Sequence, residues 1–455
     1  KGRPTLIAGA AGCGKTLFAM EFLVNGATQY DEPGVFVAFE ENAEELAQNV
    51  GSLDFDLKKL GKQKKLIVDH VHVERSEIEE TGDYDLDGLF IRLGHAIDSI
   101  GAKRVVLDTI EVLFSALSNQ GILRAELHRL FRWLKDKGVT AVITAERGNG
   151  AMTRFGLEEY VADCVITLDH RVNEQISTRR LRIVKYRGSL HGTNEYPFLI
   201  GRHGISVLPI TSLGLEHHVS TERVSTGIKE LDEMLGGRGF YRGSSILLSG
   251  SAGTGKTTLA AAFADEACQR GERCLYFAFE ESSNQILRNM RSVGIDLAPH
   301  IKKGLLRFHV ARPSQYGLEM HLVSVYDMIR EFKPSVVIMD PITDFSTVGN
   351  AAEIKSAVTR IIDFLKSNQI TGLFVTMISG DEAADRSVVG ISSLIDAWIS
   401  LRNLENNGER HRGLFVLKSR GMSHSNQIRS FELTSDGIKI GERDLAGQGT
   451  RFSRT

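Results

Sequence analysis

The chain has 455 residues and a formal net charge of −2 at pH 7, which is room for two or three domains and gives no general pull toward nucleic acid or an anionic membrane. Its 42% hydrophobic and 25% charged residues are ordinary for a globular protein, and no apolar run approaches the roughly 18 residues that span a bilayer. Cys13, Cys164, Cys268 and Cys274 show neither zinc-ligand spacing nor a disulfide framework, as expected of free thiols in a reducing cytoplasm.

The first chemistry-bearing segment is Gly9-Ala10-Ala11-Gly12-Cys13-Gly14-Lys15-Thr16. This G-x-x-x-x-G-K-[ST] pattern follows a short apolar run and precedes a helical one. Gly9, Gly12 and Gly14 let backbone N–H groups, that of Cys13 included, wrap a phosphate, and the helix offers its positive N-terminal end. Lys15 is expected to reach the β- and γ-phosphates of ATP or ADP, and Thr16 to ligate Mg²⁺. Downstream, Val37-Ala38-Phe39 leads into Glu40-Glu41. Carboxylates at the C-terminal end of a strand stand where open α/β sheets hold their ligands, and one there can take a proton from water or a hydroxyl. Val105-Val106-Leu107 then ends on Asp108, which fits the second Mg²⁺-holding position of a P-loop protein. Lys185-x-Arg187-Gly188-x-x-His191 comes last. Its Lys and Arg, two apart on a strand, share one face, either as the protected edge of a sheet or as a phosphate contact offered to a neighbouring subunit, the preferred reading.

After a polar stretch from Leu213 to Thr221 the same series returns. Gly250-Ser251-Ala252-Gly253-Thr254-Gly255-Lys256-Thr257-Thr258 repeats the phosphate loop, with Gly250, Gly253, Thr254, Gly255, Lys256 and Thr258 as nucleotide contacts and Thr257 as the Mg²⁺ ligand. Phe279-Glu280-Glu281, then Asp340, then Lys418-x-Arg420-Gly421-x-x-His424 follow in order, at offsets of 241, 240, 232 and 233. Four motifs in one order at nearly constant offset mean a tandem duplication of whole domains rather than a solenoid. Ile246 to Ser249, Cys274 to Phe279, Val336 to Asp340 and Leu373 to Met377 have strand length, while Lys256 to Gln269 and Ile354 to Leu365 have helical spacing. The expectation is an α/β protein of two tandem RecA-like P-loop NTPase domains, 1–215 and 220–440, with mostly parallel central sheets and a tail over 441–455. The second copy opens with Val224 to Asp232 and Gly236-Gly237, a lead-in without a counterpart before Lys1, so the first domain reads as truncated at its start.

Two P-loop domains in one chain, each with Phe-Glu-Glu and Lys-x-Arg-Gly-x-x-His, resemble the KaiC family of circadian-clock proteins, as do Gly236-Gly237, Tyr196-Pro197-Phe198 and Arg429-x-Phe431. The resemblance covers essentially all of both domains. It implies a homohexamer of two stacked rings with ATP at the subunit interfaces, a slow ATPase in the first domain and an autokinase and autophosphatase in the second. Glu40 and Glu41 would then activate water, and Glu280 and Glu281 an acceptor hydroxyl. The acceptors fall on Ser392 and Ser393, where the best-known members have Ser then Thr. KaiB is the implied partner of the first ring. KaiA binds the C-terminal tail in some members, but the segment after Gly441 is hard to match to theirs, which leaves KaiA open. At the repeat offset Asp163 pairs with Asp396, Glu159 with Ser392 and Tyr160 with Ser393, so the first domain holds a fixed carboxylate where the second holds a modifiable hydroxyl. Two other classes stay open at this point: a hexameric motor on single-stranded DNA, disfavoured because no basic or aromatic channel cluster is visible, and a scaffold that ATP merely holds together.

Overall fold

The computed structural model describes residues 2–71, 86–114, 120–148, 153, 162–173, 176–201, 204–207, 219–315, 317–378, 390–406, 409–444 and 451–452. The chain divides into two compact units, Lys1–Thr211 and Ser212–Thr455.

In the first unit, strands β1 (Thr5–Gly9), β2 (Gly34–Ala38), β3 (Leu66–His70), β4 (Arg104–Asp108), β5 (Thr140–Glu146), β6 (Cys164–Asn173), β7 (Ile176–Tyr186), β8 (Glu195–Gly201) and β9 (Gly204–Val207) lie in the order β3-β2-β4-β5-β1-β6-β7-β8-β9. The strands from β3 to β6 in that order are parallel, and β7, β8 and β9 add antiparallel pairs. The second unit begins with a small hairpin of β10 (Arg223–Val224) and β11 (Phe240–Tyr241). Its sheet holds β12 (Ser245–Gly250), β13 (Cys274–Ala278), β14 (Leu306–Val310), β15 (Val336–Asp340), β16 (Thr371–Met377), β17 (Ala397–Asn406), β18 (Glu409–Ser419), β19 (Arg429–Thr434) and β20 (Gly437–Asp444). Their order, β14-β13-β15-β16-β12-β17-β18-β19-β20, repeats the first sheet strand for strand, and β21 (Arg451–Phe452) pairs with β17. These are two tandem RecA-like α/β units.

Burial explains the near-continuous apolar strands. Within β1, β2 and β4, successive residues enter opposite cores: Leu6, Val35, Val37, Val105 and Leu107 face the helices Asp87–Ile100 and Gln120–Asp136, while Ile7, Phe36, Ala38 and Val106 face the helix Lys15–Gln29. A strand with helices on both faces has no side left for polar residues. The expected helix over Ile354 to Leu365 runs longer, Ala351–Ser367, because Asn350 and Glu353 form a capping box at its start, satisfying backbone donors that hydrophobic periodicity does not reveal.

Strand direction places the two ends of each site. β6 runs parallel to β1, with Thr5 opposite Cys164, and β7 returns antiparallel, with Cys164 opposite Tyr186. The phosphate loop therefore leaves one edge of the sheet while the end of β7 arrives at the other. The second unit does the same, since Ser245 N donates to an Asp396 carboxylate oxygen at 2.9 Å and Ala397 sits opposite Ser419. From the first to the last of the six residues of β12, a rise of about 3.3 Å per step puts about 16 Å between these edges.

Glycine is required in the loops for two separate reasons. A Cβ on Gly250 would lie 2.6 Å from the Leu401 carbonyl oxygen, whereas Gly253 has open space but φ +73°. Gly250→Ala must part β12 from β17, so it should cost about 1–3 kcal/mol; Gly253→Ala meets only the left-handed backbone penalty of roughly 1–2 kcal/mol. Thermal unfolding of the whole chain checks this. Both midpoints should fall, and the nucleotide affinity of Gly253→Ala should survive better than that of Gly250→Ala.

Candidate functional site

The two phosphate loops are built alike. Gly14 has φ 100° and ψ 22° and Gly255 φ 99° and ψ 20° at the helix starts, a left-handed turn that aims the first helical N–H groups into the loop. Behind each, an apolar side chain from the antiparallel strands closes the space: Ile200 lies 3.0 Å from a Cβ built on Gly14, and Phe431 2.8 Å from one on Gly255. The Lys15 ammonium, largely buried, donates to the carbonyls of Gly9 and Ala10 at 2.8 and 3.0 Å, and that of Lys256 to Ser251 at 2.8 Å. Burial lowers the Lys256 pKa, against the attraction of Asp340 and Glu280. Loop glycines held by close contacts or by left-handed backbone, N–H groups in a left-handed turn and a buried cation at the loop's mouth fit a nucleoside triphosphate, and the Thr–Asp pairs beside it fit Mg²⁺.

Thr16 is hydrogen-bonded to Asp108, and Thr257 to Asp340. Both carboxyls have raised pKa values because they are buried, and each is held by a further hydroxyl. The two units use different neighbours for this. Thr144 of β5 donates to Asp108, whereas Tyr276 of β13 donates to Asp340 at 2.7 Å. By strand register the position of Thr144 is Val375 in the second unit, and that of Tyr276 is Phe36 in the first. One hydroxyl has moved across the sheet to the other side of the carboxylate.

The glutamate pairs follow β2 and β13, placed beside the aspartates by Phe39 N to Asp108 O at 3.0 Å and Phe279 N to Asp340 O at 2.9 Å. Capping boxes on Asn42 and Ser282 fix the helices after them. Two turns along, Asn49 donates to Glu41 at 3.2 Å and Asn289 to Glu281 at 3.3 Å. The second member of each pair is thus tied back to its own helix. The first member faces the aspartate strand, with Thr109 donating to Glu40 at 3.4 Å. Pro341 replaces that threonine in the second unit, and there the Asp344 carboxyl is hydrogen-bonded to Glu280. Burial, then Glu280 and Asp340, push the Asp344 pKa up to about 6. The first unit has Val112 at this place.

Lys185, Arg187 and His191 lie at the far edge of their sheet from Gly9, and Lys418, Arg420 and His424 at the far edge from Gly250. The structure does not bring them to the P-loop of their own unit. Arg187 lies 3.5 Å from the Asp163 carboxylate, which also pairs with Lys135 at 2.7 Å. Lys418 and Arg420 instead hold the segment of Ser392 and Ser393. Glu159 and Tyr160, aligned with those serines, lie outside the described residues. Sequence reasoning missed Tyr276, Thr144 and Asp344. The first was legible as the Phe36–Tyr276 mismatch between repeats; the others needed strand register and the path of the turn after Asp340.

The family model described as "ATPase: KaiC" matches residues 1–212 and again 224–444. The chain belongs to the KaiC family. It is 59% identical to the circadian clock protein KaiC2 of Synechocystis sp. over 100% of this chain and 80% of that protein. It is 38% identical to the circadian clock oscillator protein KaiC of Parathermosynechococcus lividus (99% of this chain, 85% of that one) and 37% to that of Synechococcus elongatus (99% and 89%). Both units of this KaiC-family chain are therefore nucleotide-binding ATPase domains. Among the described residues no helix is long and apolar enough to cross a membrane.

The displaced hydroxyl can be tested in each unit separately. Tyr276→Phe deprives a buried carboxylate of a charge-assisted hydrogen bond of about 1.5–3 kcal/mol, so nucleotide chemistry in the second unit should fall roughly tenfold or more while ATP hydrolysis in the first is unchanged. Thr144→Val should do the reverse. Equal effects of both variants on one activity would mean that these hydroxyls do not serve their own units.

Proposed function

We propose that this chain is a timing protein of the KaiC type. Its first unit hydrolyses ATP slowly, its second reversibly phosphorylates Ser392 and Ser393, and its active form is a homohexamer with each nucleotide between two subunits. The observation that carries this reading is the separation of edges by roughly 16 Å: acceptor serines and basic strand end stand about a strand's length from their own phosphate loop. A phosphate held by one chain is then completed by Lys418, Arg420 and His424 of the next, and the same holds for Lys185, Arg187 and His191 in the first ring. The names of the relatives support the clock role; KaiB is the partner that the family resemblance implies, and KaiA is not required by this reading.

The chain's own groups divide the work. Backbone N–H groups of the loops and Lys15 or Lys256 bind and orient the phosphates. Thr16 with Asp108, and Thr257 with Asp340, would hold Mg²⁺, which when bound neutralises charge developing on the phosphate oxygens. In the second unit Glu280 accepts the serine proton as the serine Oγ–phosphorus bond forms, the bond to the β–γ bridging oxygen breaks, and ADP departs with that oxygen. Dephosphorylation reverses these steps. In the first unit Glu40 takes the proton of water instead. Glu41 and Glu281, anchored by Asn49 and Asn289, set the direction in which their neighbours point.

A general base contributes typically 10²–10⁴-fold. Glu40→Gln should therefore remove most steady-state ADP production and leave serine labelling intact, and Glu280→Gln should do the opposite. Glu41→Gln and Glu281→Gln should each be milder, within roughly tenfold, by the smaller role of a positioning group. Intact-mass measurement beside ADP release in Mg·ATP reads both activities. A wild-type hexamer that turns over ATP yet takes no label on Ser392 or Ser393 would leave only a tandem ATPase.

A further inference from the structure

The segment bearing the two serines is fixed by its carbonyls. Ile391 and Ile395 are fully buried at either end, and Leu394 N donates to Ile391 O at 2.8 Å to close a turn between them. Lys418 donates to the Ser392 carbonyl at 2.7 Å and Arg420 to the Ser393 carbonyl at 2.5 Å. Lys366 and Ser245 donate to the Leu394 carbonyl at 3.2 and 3.1 Å, and Arg420 N to the Asp396 carbonyl at 2.7 Å. Below this row Lys366 pairs with the Asp396 carboxylate at 2.8 Å. Three successive peptide carbonyls are each held by a cation, and Ser393 itself is exposed.

We propose that Lys418 and Arg420 are positioning residues for the phosphoacceptor, tying the serine segment of their own chain to the phosphate held by the neighbouring one. The inference rests on the function proposed above and adds to it a residue-by-residue assignment. An ammonium has three N–H donors and a guanidinium five. Lys418 with one donor on Ser392 O keeps two for a phosphate, and Arg420 keeps more. Two consecutive charge-assisted bonds of about 2.8 Å then hold a Ser392 carbonyl within about 5.5 Å of a phosphate oxygen. From there a side-chain rotation can bring a hydroxyl to the roughly 3–3.5 Å at which transfer occurs. A single cation registers donor against acceptor.

The two cations do not hold the serines equally. The peptide anchored by Lys418 joins Ser392 to Ser393, so its loss loosens both. The peptide anchored by Arg420 comes after Ser393, so its loss loosens Ser393 alone, with Ser392 still confined between Ile391 and the Lys418 anchor. A mere phosphate contact has no such asymmetry.

The test is site-resolved mass spectrometry of the assembled two-unit chain in Mg·ATP, with ADP release of the first unit as internal reference. Arg420→Lys, which keeps the charge, should shift the label from Ser393 to Ser392 by about fivefold or more in ratio, on the order of one lost orienting contact. Lys418→Gln should lower both sites together. Should these variants fail to assemble, Lys366→Met removes the third carbonyl anchor from a residue with no role on the nucleotide. It should lower serine labelling several-fold with nucleotide affinity unchanged. An unchanged Ser392:Ser393 ratio in Arg420→Lys, or unchanged labelling in Lys366→Met, would overturn the positioning role while the kinase reading stands. No label on either serine in the wild type would overturn that reading and this inference with it.

Discussion

β6 and β17 run parallel to the strands that feed the phosphate loops, and the next strand in each sheet runs back. Each unit consequently presents a phosphate cradle at one edge of its sheet and a Lys-x-Arg strand end at the other. Strand direction is a property of the whole sheet, set by burial on both faces and by register, so no local change can swing the basic end round to its own cradle. Every feature of the proposed chemistry inherits this: nucleotide at an interface, acceptor delivered by a second chain, and a ring as the smallest unit in which all sites are complete.

Duplication supplies a control within one molecule. The nine strands of the first sheet recur in the same order in the second, so residues at corresponding places can be compared directly. Two of the differences lie at the carboxylates of the site. The aspartate that ends β4 is held by a hydroxyl from β5, and the aspartate that ends β15 by a hydroxyl from β13. Glu40 faces a threonine hydroxyl, and Glu280 a second carboxyl. A carboxylate that accepts from a hydroxyl and one that shares a hydrogen bond with a second carboxyl are oriented by different partners, which is the kind of difference that would suit one site to water and the other to a serine hydroxyl.

Much of this was legible in the sequence. The repeats, the phosphate loops and the alternation of apolar strands with helices state the fold, because burial on both sheet faces leaves a continuous apolar signature. The aspartates were legible as strand ends. What sequence periodicity does not carry is which strand lies beside which. Thr144 and Tyr276 serve equivalent aspartates from opposite neighbours, a relation visible only in the order β2-β4-β5. The distinction within each glutamate pair was equally hidden, since it depends on an asparagine eight residues on that only a capped helix brings back. The hold of Lys418 and Arg420 on the serine carbonyls arises from the same antiparallel return that separates the edges.

The central claim is that phosphoryl donor and acceptor belong to different chains. Hexamers can be mixed from two inactive parents of distinguishable mass, one carrying Lys256→Ala and so lacking a donor site, the other carrying Ser392→Ala with Ser393→Ala and so lacking an acceptor. Each parent alone should take no label from Mg·ATP. In the mixture, label should appear only on the Lys256→Ala chains. Label that never appears in the mixture, while the wild type is phosphorylated and the mixed rings assemble, would place donor and acceptor in one chain and contradict the account.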